Sequence, residues 1–245
     1  MTLFIFRKKP LEITLFTANE SAFKFSRPQK ATHFIPEWWK NLPKQIHRND
    51  MQQKSVSSVI RTMKTCPGFI DLYSKGFIQP MWSDLSVQIE PDGRYQYQYA
   101  DGVSKAQDHQ TEQMAGNHFS RSHSHLKLAS PWIAKESTNT KFLVCAPVWN
   151  GFGADDVCVV PGMAGYKMPL ELNINMFFRR QRETKIYDLD FGQPIAHFIP
   201  LSDRPLKLSY ELISAEEQDK RIRRGGMHLF FENRNKKAEK LCPYA

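Results

Sequence analysis

Long apolar runs are missing from this 245-residue sequence. No stretch of about 18 apolar residues occurs, which excludes a membrane-spanning helix. Cysteine is scarce: Cys66, Cys145, Cys158 and Cys242 are the four in the chain, and none pair at Cys-x-x-Cys spacing. A zinc ribbon and a thioredoxin-type redox motif are therefore excluded. Cys145 and Cys158 sit in apolar runs and are expected to pack as small core residues. No secretory leader is expected, because the apolar run Leu3–Phe6 precedes Arg7, Lys8 and Lys9 instead of following a basic segment. The compartment reads as reducing and cytoplasmic.

The catalytic signatures that carry their own chemistry are also absent. There is no P-loop, Rossmann fingerprint, Gly-x-Ser-x-Gly elbow or His-Glu-x-x-His helix. Gly151-Phe-Gly153 lacks a third glycine and a following helix, so it reads as a turn. Catalysis stays open, since catalytic groups are brought together by geometry rather than by sequence order.

What is present is ordinary globular composition, 41% hydrophobic and 24% charged, in a length that suits one domain with a sizeable core. The 34 basic residues outnumber the 25 acidic ones and give a net charge of +9. Such a surplus favours polyanionic partners, nucleic acid among them.

The chain is expected to be mainly β (α+β), with a β-sandwich or jelly-roll-like core over residues 77–212. Strands are predicted at Leu3–Phe6, at Leu11–Thr17 and over Phe77–Glu90. Asp92-Gly93 is a hairpin signal. In Arg94–Tyr99, Tyr95, Tyr97 and Tyr99 alternate with Arg94, Gln96 and Gln98, the pattern of a half-solvated antiparallel strand. Residues 101–122 are polar and read as a long loop. Eight further runs follow: His123–Leu128, Trp132–Lys135, Phe142–Pro147, Val157–Val160, Leu170–Phe178, Lys185–Leu189, Ile195–Pro200 and Leu206–Leu212. Residues 1–76 are an irregular elaboration with short helices at Pro36–Leu42, at Lys54–Met63 and from Thr65 through Tyr73, the last stopped by Gly76. Ser214-Ala-Glu-Glu217 is a capping box opening a C-terminal helix, which Gly225-Gly226 should end, within a basic tail over 213–245.

Several spaced motifs carry a likeness. They are Leu126-Lys-Leu-Ala-Ser-Pro-Trp132, Phe142–Pro147, Leu170-Glu-Leu-Asn-Ile-Asn-Met-Phe177 and Phe191-Gly-Gln-Pro-Ile-Ala-His-Phe-Ile-Pro200. Cys66-Pro-Gly-Phe-Ile-Asp71, Gly76-Phe-Ile-x-Pro80 and Trp82-Ser-Asp84 belong with them. Over residues 60–212 the chain resembles an uncharacterised domain-of-unknown-function family found in bacteriophages, marine ones especially, and in bacteria. The resemblance implies a compact β fold and a phage or marine microbial origin, in the host cytoplasm or in a virion, and no activity. The Gly192–Pro200 strand is loosely similar to the closing strand of dUTPase-like proteins, whose other nucleotide-binding motifs are missing.

Four groups of residues merit a place in a site. His123 and His125 fall on one strand face, which suits a transition metal; with His109 and a carboxylate such as Asp108 or Glu112 the set would fit iron or zinc. Exposed surface histidines are the plainer reading, with no cofactor at all. Asn173 and Asn175 also share a face and could read the hydroxyls or base edges of a ligand, or merely meet solvent. Asp84, beside Trp82 and across the Gly76–Pro80 step from Asp71, would need a partner if buried. Arg179, Arg180 and Arg182, with Arg221, Arg223 and Arg224 near Phe230 and Phe231, could contact phosphate and stack on bases, or form a solvated face. The function classes are then a non-enzymatic binding or virion-assembly module with a protein partner or self-association, a small cupin-like metal-dependent enzyme, and a nucleic-acid-binding protein.

Overall fold

A computed structural model describes residues 8–48, 58–108, 114–151 and 156–224. In chain order the elements are β1 (Leu11–Thr17), α1 (Glu20–Phe25), β2 (Gln29–Lys30), α2 (Glu37–Asn41), β3 (Gln45–Arg48), β4 (Ser58–Arg61), α3 (Pro67–Ser74), β5 (Phe77–Pro80), β6 (Leu85–Ile89), β7 (Tyr95–Tyr99) and β8 (Ala106–Asp108). Then come α4 (Phe119–Ser122), β9 (His123–Leu128), β10 (Ile133–Glu136), β11 (Lys141–Cys145), β12 (Val157–Val159), β13 (Gly162–Gly165), β14 (Leu170–Glu171), β15 (Ile174–Arg179), β16 (Lys185–Leu189), β17 (Pro194–Pro200) and β18 (Leu206–Leu212). A last helix, α5, covers residues 215–224.

The fold is mainly β with several antiparallel sheets. The strand orders are β14-β10-β1-β18, β13-β11-β17-β5-β2, β12-β15-β9-β8 and β16-β6-β7, plus the hairpin β3-β4. Each of the first four sheets turns an apolar face inward, and one buried cluster joins Leu11, Ile13 and Leu15 to Phe77, Leu85, Val87, Leu126, Trp132, Met176 and Phe198. Alternation explains the arrangement: along β6, Leu85, Val87 and Ile89 are buried while Ser86 and Gln88 are not. The register puts Tyr99, Tyr97 and Tyr95 opposite those three residues, so the tyrosines share one face, of which Tyr99 reaches the core and Tyr97 is exposed. Gly93, with φ at 92°, turns β6 into β7 as the Asp-Gly signal predicts. No helix of the described residues is long and apolar enough to cross a membrane.

Where the fold departs from the sequence expectations, tertiary pairing is the reason. The β core starts at Leu11 and not at residue 77, because β1 lies between β10 and β18. Its pairing with β18 is parallel, the only parallel pair among the described strands. The Phe77–Glu90 run is two strands in two sheets, broken at Met81–Asp84, and Leu170–Phe178 is likewise split around Leu172 and Asn173. The described part of the Lys54–Met63 segment is strand β4 and the start of a 3₁₀ turn, since residues 58–61 pair with β3. Helix α3 begins at Pro67 after Cys66 rather than being capped by Thr65. The Ser214 cap is present: its Oγ accepts from Glu217 N–H at 3.2 Å. Leu3–Phe6 and Gly225-Gly226 lie outside the described residues.

Against β17 a smaller cluster packs, built from Phe69 and Tyr73 of α3, Ala31 and Ile78. Trp39 of α2 stacks on Phe69 at 5.0 Å, while Trp38 stays partly exposed. His197 is buried in β17 beside this cluster, its Nε2 2.8 Å from the Lys75 carbonyl. That contact requires the neutral imidazole to donate from Nε2. Burial pushes the His197 pKa down, outweighing the opposite effect of the Lys75 carbonyl. A histidine depressed in the folded state contributes stability that is present above its unfolded pKa of about 6.5 and lost as pH falls toward the folded value. Denaturant midpoints are therefore expected to fall on acidification below about pH 6.5. The part of that slope due to this residue should vanish in His197→Gln; an unchanged slope would show that other groups carry it.

Candidate functional site

Alternation along β9 decides which side chains reach which face. Ser124, Leu126 and Leu128 are buried, and His123, His125 and Lys127 stand half-buried on the opposite side. Antiparallel register with β15 sets His123 beside Arg179, His125 beside Phe177 and Lys127 beside Asn175. Cys158 of β12 lies across from Phe177, and Gln107 of β8 across from Lys127. Thus sequence candidates that lie some 50 positions apart in the chain, the histidine pair and Asn175, meet on one sheet face with Arg179 at its end, and Asn173 lies just ahead of it in the break between β14 and β15.

The face is partly roofed. Phe119 of α4 stacks on Phe177 at 4.9 Å and meets His123 edge-on at 5.0 Å. His125 packs edge-on against Phe177 at 4.9 Å. Ser122 Oγ lies 2.8 Å from His123 Nδ1 and orients that ring. Burial, reinforced by the Arg179 charge, holds the His123 pKa below the ordinary histidine range, so the ring is neutral at pH 7. Burial also pushes the thiols of Cys158 and Cys145 up, which keeps them protonated and weak as nucleophiles.

The face has one anomaly. Asn173 Oδ1 and Asn175 Oδ1 are sealed from solvent and accept no hydrogen bond. A buried acceptor left unpaired costs about 1–3 kcal/mol, so two in neighbouring positions need a reason.

The other candidates are placed elsewhere. Among the described residues no three His, Cys, Asp or Glu side chains converge as a metal-ligand set. His109 and Glu112 lie outside the described residues. Trp82 is a core anchor, buried, stacked on Tyr99 and donating from Nε1 to Ser104 Oγ at 3.0 Å. Asp84 is exposed and not partly buried; its Oδ1 accepts from Phe191 N–H at 2.6 Å. It lines a shallow groove with Asp188 and Asp190. Asp71 is exposed on α3.

The arginines divide in the same way. Arg180 is packed over Gly93 with its Nε sealed and unpaired, Arg179 pairs with Asp156 at 3.7 Å, and Arg182 is exposed. Arg221 lies over the Phe16 ring and is bonded to Glu211 and Glu217, so it fastens α5 to β1. Arg223 faces Asp219 at 3.9 Å, and Arg224 is exposed.

A second cluster of basic residues has no local motif in the sequence: Arg27, Lys30 and His33 share a groove with Lys207 and Tyr210. Comparison with protein-family models, with curated proteins and with solved structures finds no match for this chain.

Proposed function

We propose that this protein is a non-enzymatic binding module whose small-ligand site is the outer face of β9 and β15. The half-buried amides of Asn173 and Asn175, whose Oδ1 atoms meet no donor in the protein, carry the reading. Two amides two positions apart, with Lys127 opposite Asn175, suit a ligand that presents paired hydrogen-bond donors. The hydroxyls of a sugar or the amino edge of a base have that chemistry. A phage-encoded, virion- or assembly-associated setting is part of the proposal and rests on the family resemblance. The β-sandwich or jelly-roll-like packing assumed for it is supported by antiparallel sheets meeting across one buried cluster.

Function and stability should pull apart at this face. Asn175→Val removes an unsatisfied polar group and suits strand β15, and Asn173→Val removes one just ahead of it, so each is expected to stabilise the ligand-free protein by about 1–2 kcal/mol. Urea unfolding measures this. NMR titration of the parent chain with monosaccharides and with nucleosides should shift the side-chain amide signals of both asparagines, and the valine variants should lose that binding. Destabilisation by valine, together with amide signals that no probe moves, would return the two residues to a structural role. A metal-dependent enzyme centred on His123 and His125 is the competing reading, favoured by their common face. Elemental analysis of the protein and of a His123→Ala/His125→Ala double variant separates the two.

A further inference from the structure

Two sheets end at open edges beside one groove. β18 is the last strand of its sheet and β2 the last of another, and among the described residues neither has a partner on its outer side. The groove between them holds about 490 Å³ and is lined by Arg27, Lys30, His33, Lys207, Leu208 and Tyr210, with no carboxylate among its described walls.

The backbone of β18 is half used. Leu11 N–H donates to the Pro205 carbonyl at 2.9 Å, and Ile213 N–H donates to the Thr17 carbonyl at 3.0 Å. Between those ends the parallel register runs through Lys207, Ser209 and Glu211. The N–H and C=O groups of Leu206, Leu208 and Tyr210 therefore point toward the open edge. Seven residues of strand give about 23 Å of such edge.

The charges beside it are preorganised. Arg27 donates from Nε to the Phe23 carbonyl, and its guanidinium lies 4.0 Å from the Phe23 ring centroid and 5.6 Å from that of Tyr210. Tyr210 is itself fixed by a 2.7 Å bond to the Pro28 carbonyl. With its stem and Nε held, Arg27 keeps its terminal N–H groups for a ligand. Neither Arg27 nor Lys30 has an ion-pair partner among the described residues, whereas Lys207 bonds to Glu12 at 3.0 Å on the exposed side.

The geometry points to a docking site for an extended acidic peptide segment of a partner protein, which adds to β18 as a further strand. It is a different site from the amide face of β9 and β15. The repeating N–H and C=O edge is matched by a polypeptide and not by a nucleic acid. The unpaired cations favour acidic side chains on that polypeptide. A second copy of this chain is disfavoured, since two β18 edges in register would bring Lys207 and Arg27 of both copies together.

The test uses the full chain and a synthetic alternating Glu-Thr octapeptide. Binding followed by anisotropy should weaken at least about tenfold between 50 and 300 mM salt, as expected for a screened charge contact. Amide hydrogen exchange should show new protection at Leu206, Leu208 and Tyr210 on binding. Lys207 and Ser209, already bonded to β1, should not change. Leu208→Pro removes an N–H that β1 does not use, so it should abolish binding while leaving the unfolding midpoint close to that of the parent; should that variant fail to fold, the exchange pattern of the parent chain decides. Arg27→Gln/Lys30→Gln should lose binding as well. Absent binding, or binding without protection at those three amides, overturns the proposal. So does a single-stranded oligonucleotide that binds more tightly than the peptide and displaces it.

Discussion

Trp132→Ala is expected to cost about 3–5 kcal/mol, a large part of a net stability of about 5–15 kcal/mol. Three separate supports disappear with the side chain. Trp132 is fully buried, so its removal leaves a cavity bounded by strands of the core. Its Nε1 donates to the Ser26 carbonyl at 3.1 Å, and that buried acceptor would be orphaned. Its ring also meets Phe23 at 6.2 Å and Tyr210 at 6.0 Å. For a chain of this size the melting temperature should fall by roughly 6–20 °C. Trp132→Phe should fall between, keeping the packing and losing the hydrogen bond. Since Phe23 and Tyr210 are the two rings that hold Arg27, the Ala variant should also loosen the basic groove. A chemical denaturation series over both variants reads the two contributions, and equal losses in Phe and Ala would show that the hydrogen bond alone matters.

Gly76→Ala is expected to be nearly as damaging, for a backbone reason. Gly76 joins α3 to β5 with φ at 76°, a region that costs an L side chain about 1–2 kcal/mol. A Cβ built there would overlap the Phe198 carbonyl oxygen and lie 3.1 Å from Ile199 Cα. Backbone atoms of an interior strand cannot swing aside, so a further penalty of about 1–3 kcal/mol applies. The total is about 2–5 kcal/mol. Gly192→Ala separates the two causes, because Gly192 has φ at 79° but nothing within 4 Å of a new Cβ. The difference between the two variants in urea unfolding isolates the collision. Equal losses at the two positions would mean that β17 gives way after all.

Which parts of this architecture could be read from the chain follows from how each strand is buried. β9, β16 and β18 have the bounds that alternation and flanking turn residues predict, because one of their faces meets solvent or a partly open surface. Phe77–Pro80 is buried on both faces and runs into buried Met81, Trp82 and Ser83, so no change of period marks where the chain leaves one sheet for another. β13, Gly162-Met-Ala-Gly165, has almost no strand propensity and exists because it pairs with β11 at a sheet edge. The candidate site divides along the same line. A shared face for His123 and His125 was legible from period-two spacing, whereas the same spacing placed Asn173 and Asn175 on one strand and the chain breaks between β14 and β15 at Asn173. That the histidines and Asn175 sit on adjacent strands was not legible, since strand order is a tertiary property. The basic groove was less legible still: Pro28 and Tyr210, joined by a hydrogen bond, are 182 positions apart. Asp84 lies exposed although it sits in a buried run beside Trp82, because the chain bends between β5 and β6 and turns the indole inward and the carboxylate out.

The parallel pairing of β1 with β18 has a consequence for biosynthesis. Its cross-strand contacts, such as Glu12 with Lys207, join residues 195 positions apart. While the chain is being made, Leu11, Ile13, Leu15 and Phe16 emerge early and must wait for their partner strand until nearly all the residues described here have left the ribosome. Contacts of such long range form slowly, and an apolar strand held waiting is open to capture by other chains. Yield in the cell should therefore depend on elongation and on chaperone holding of the nascent N-terminal segment more than on the stability of the finished protein.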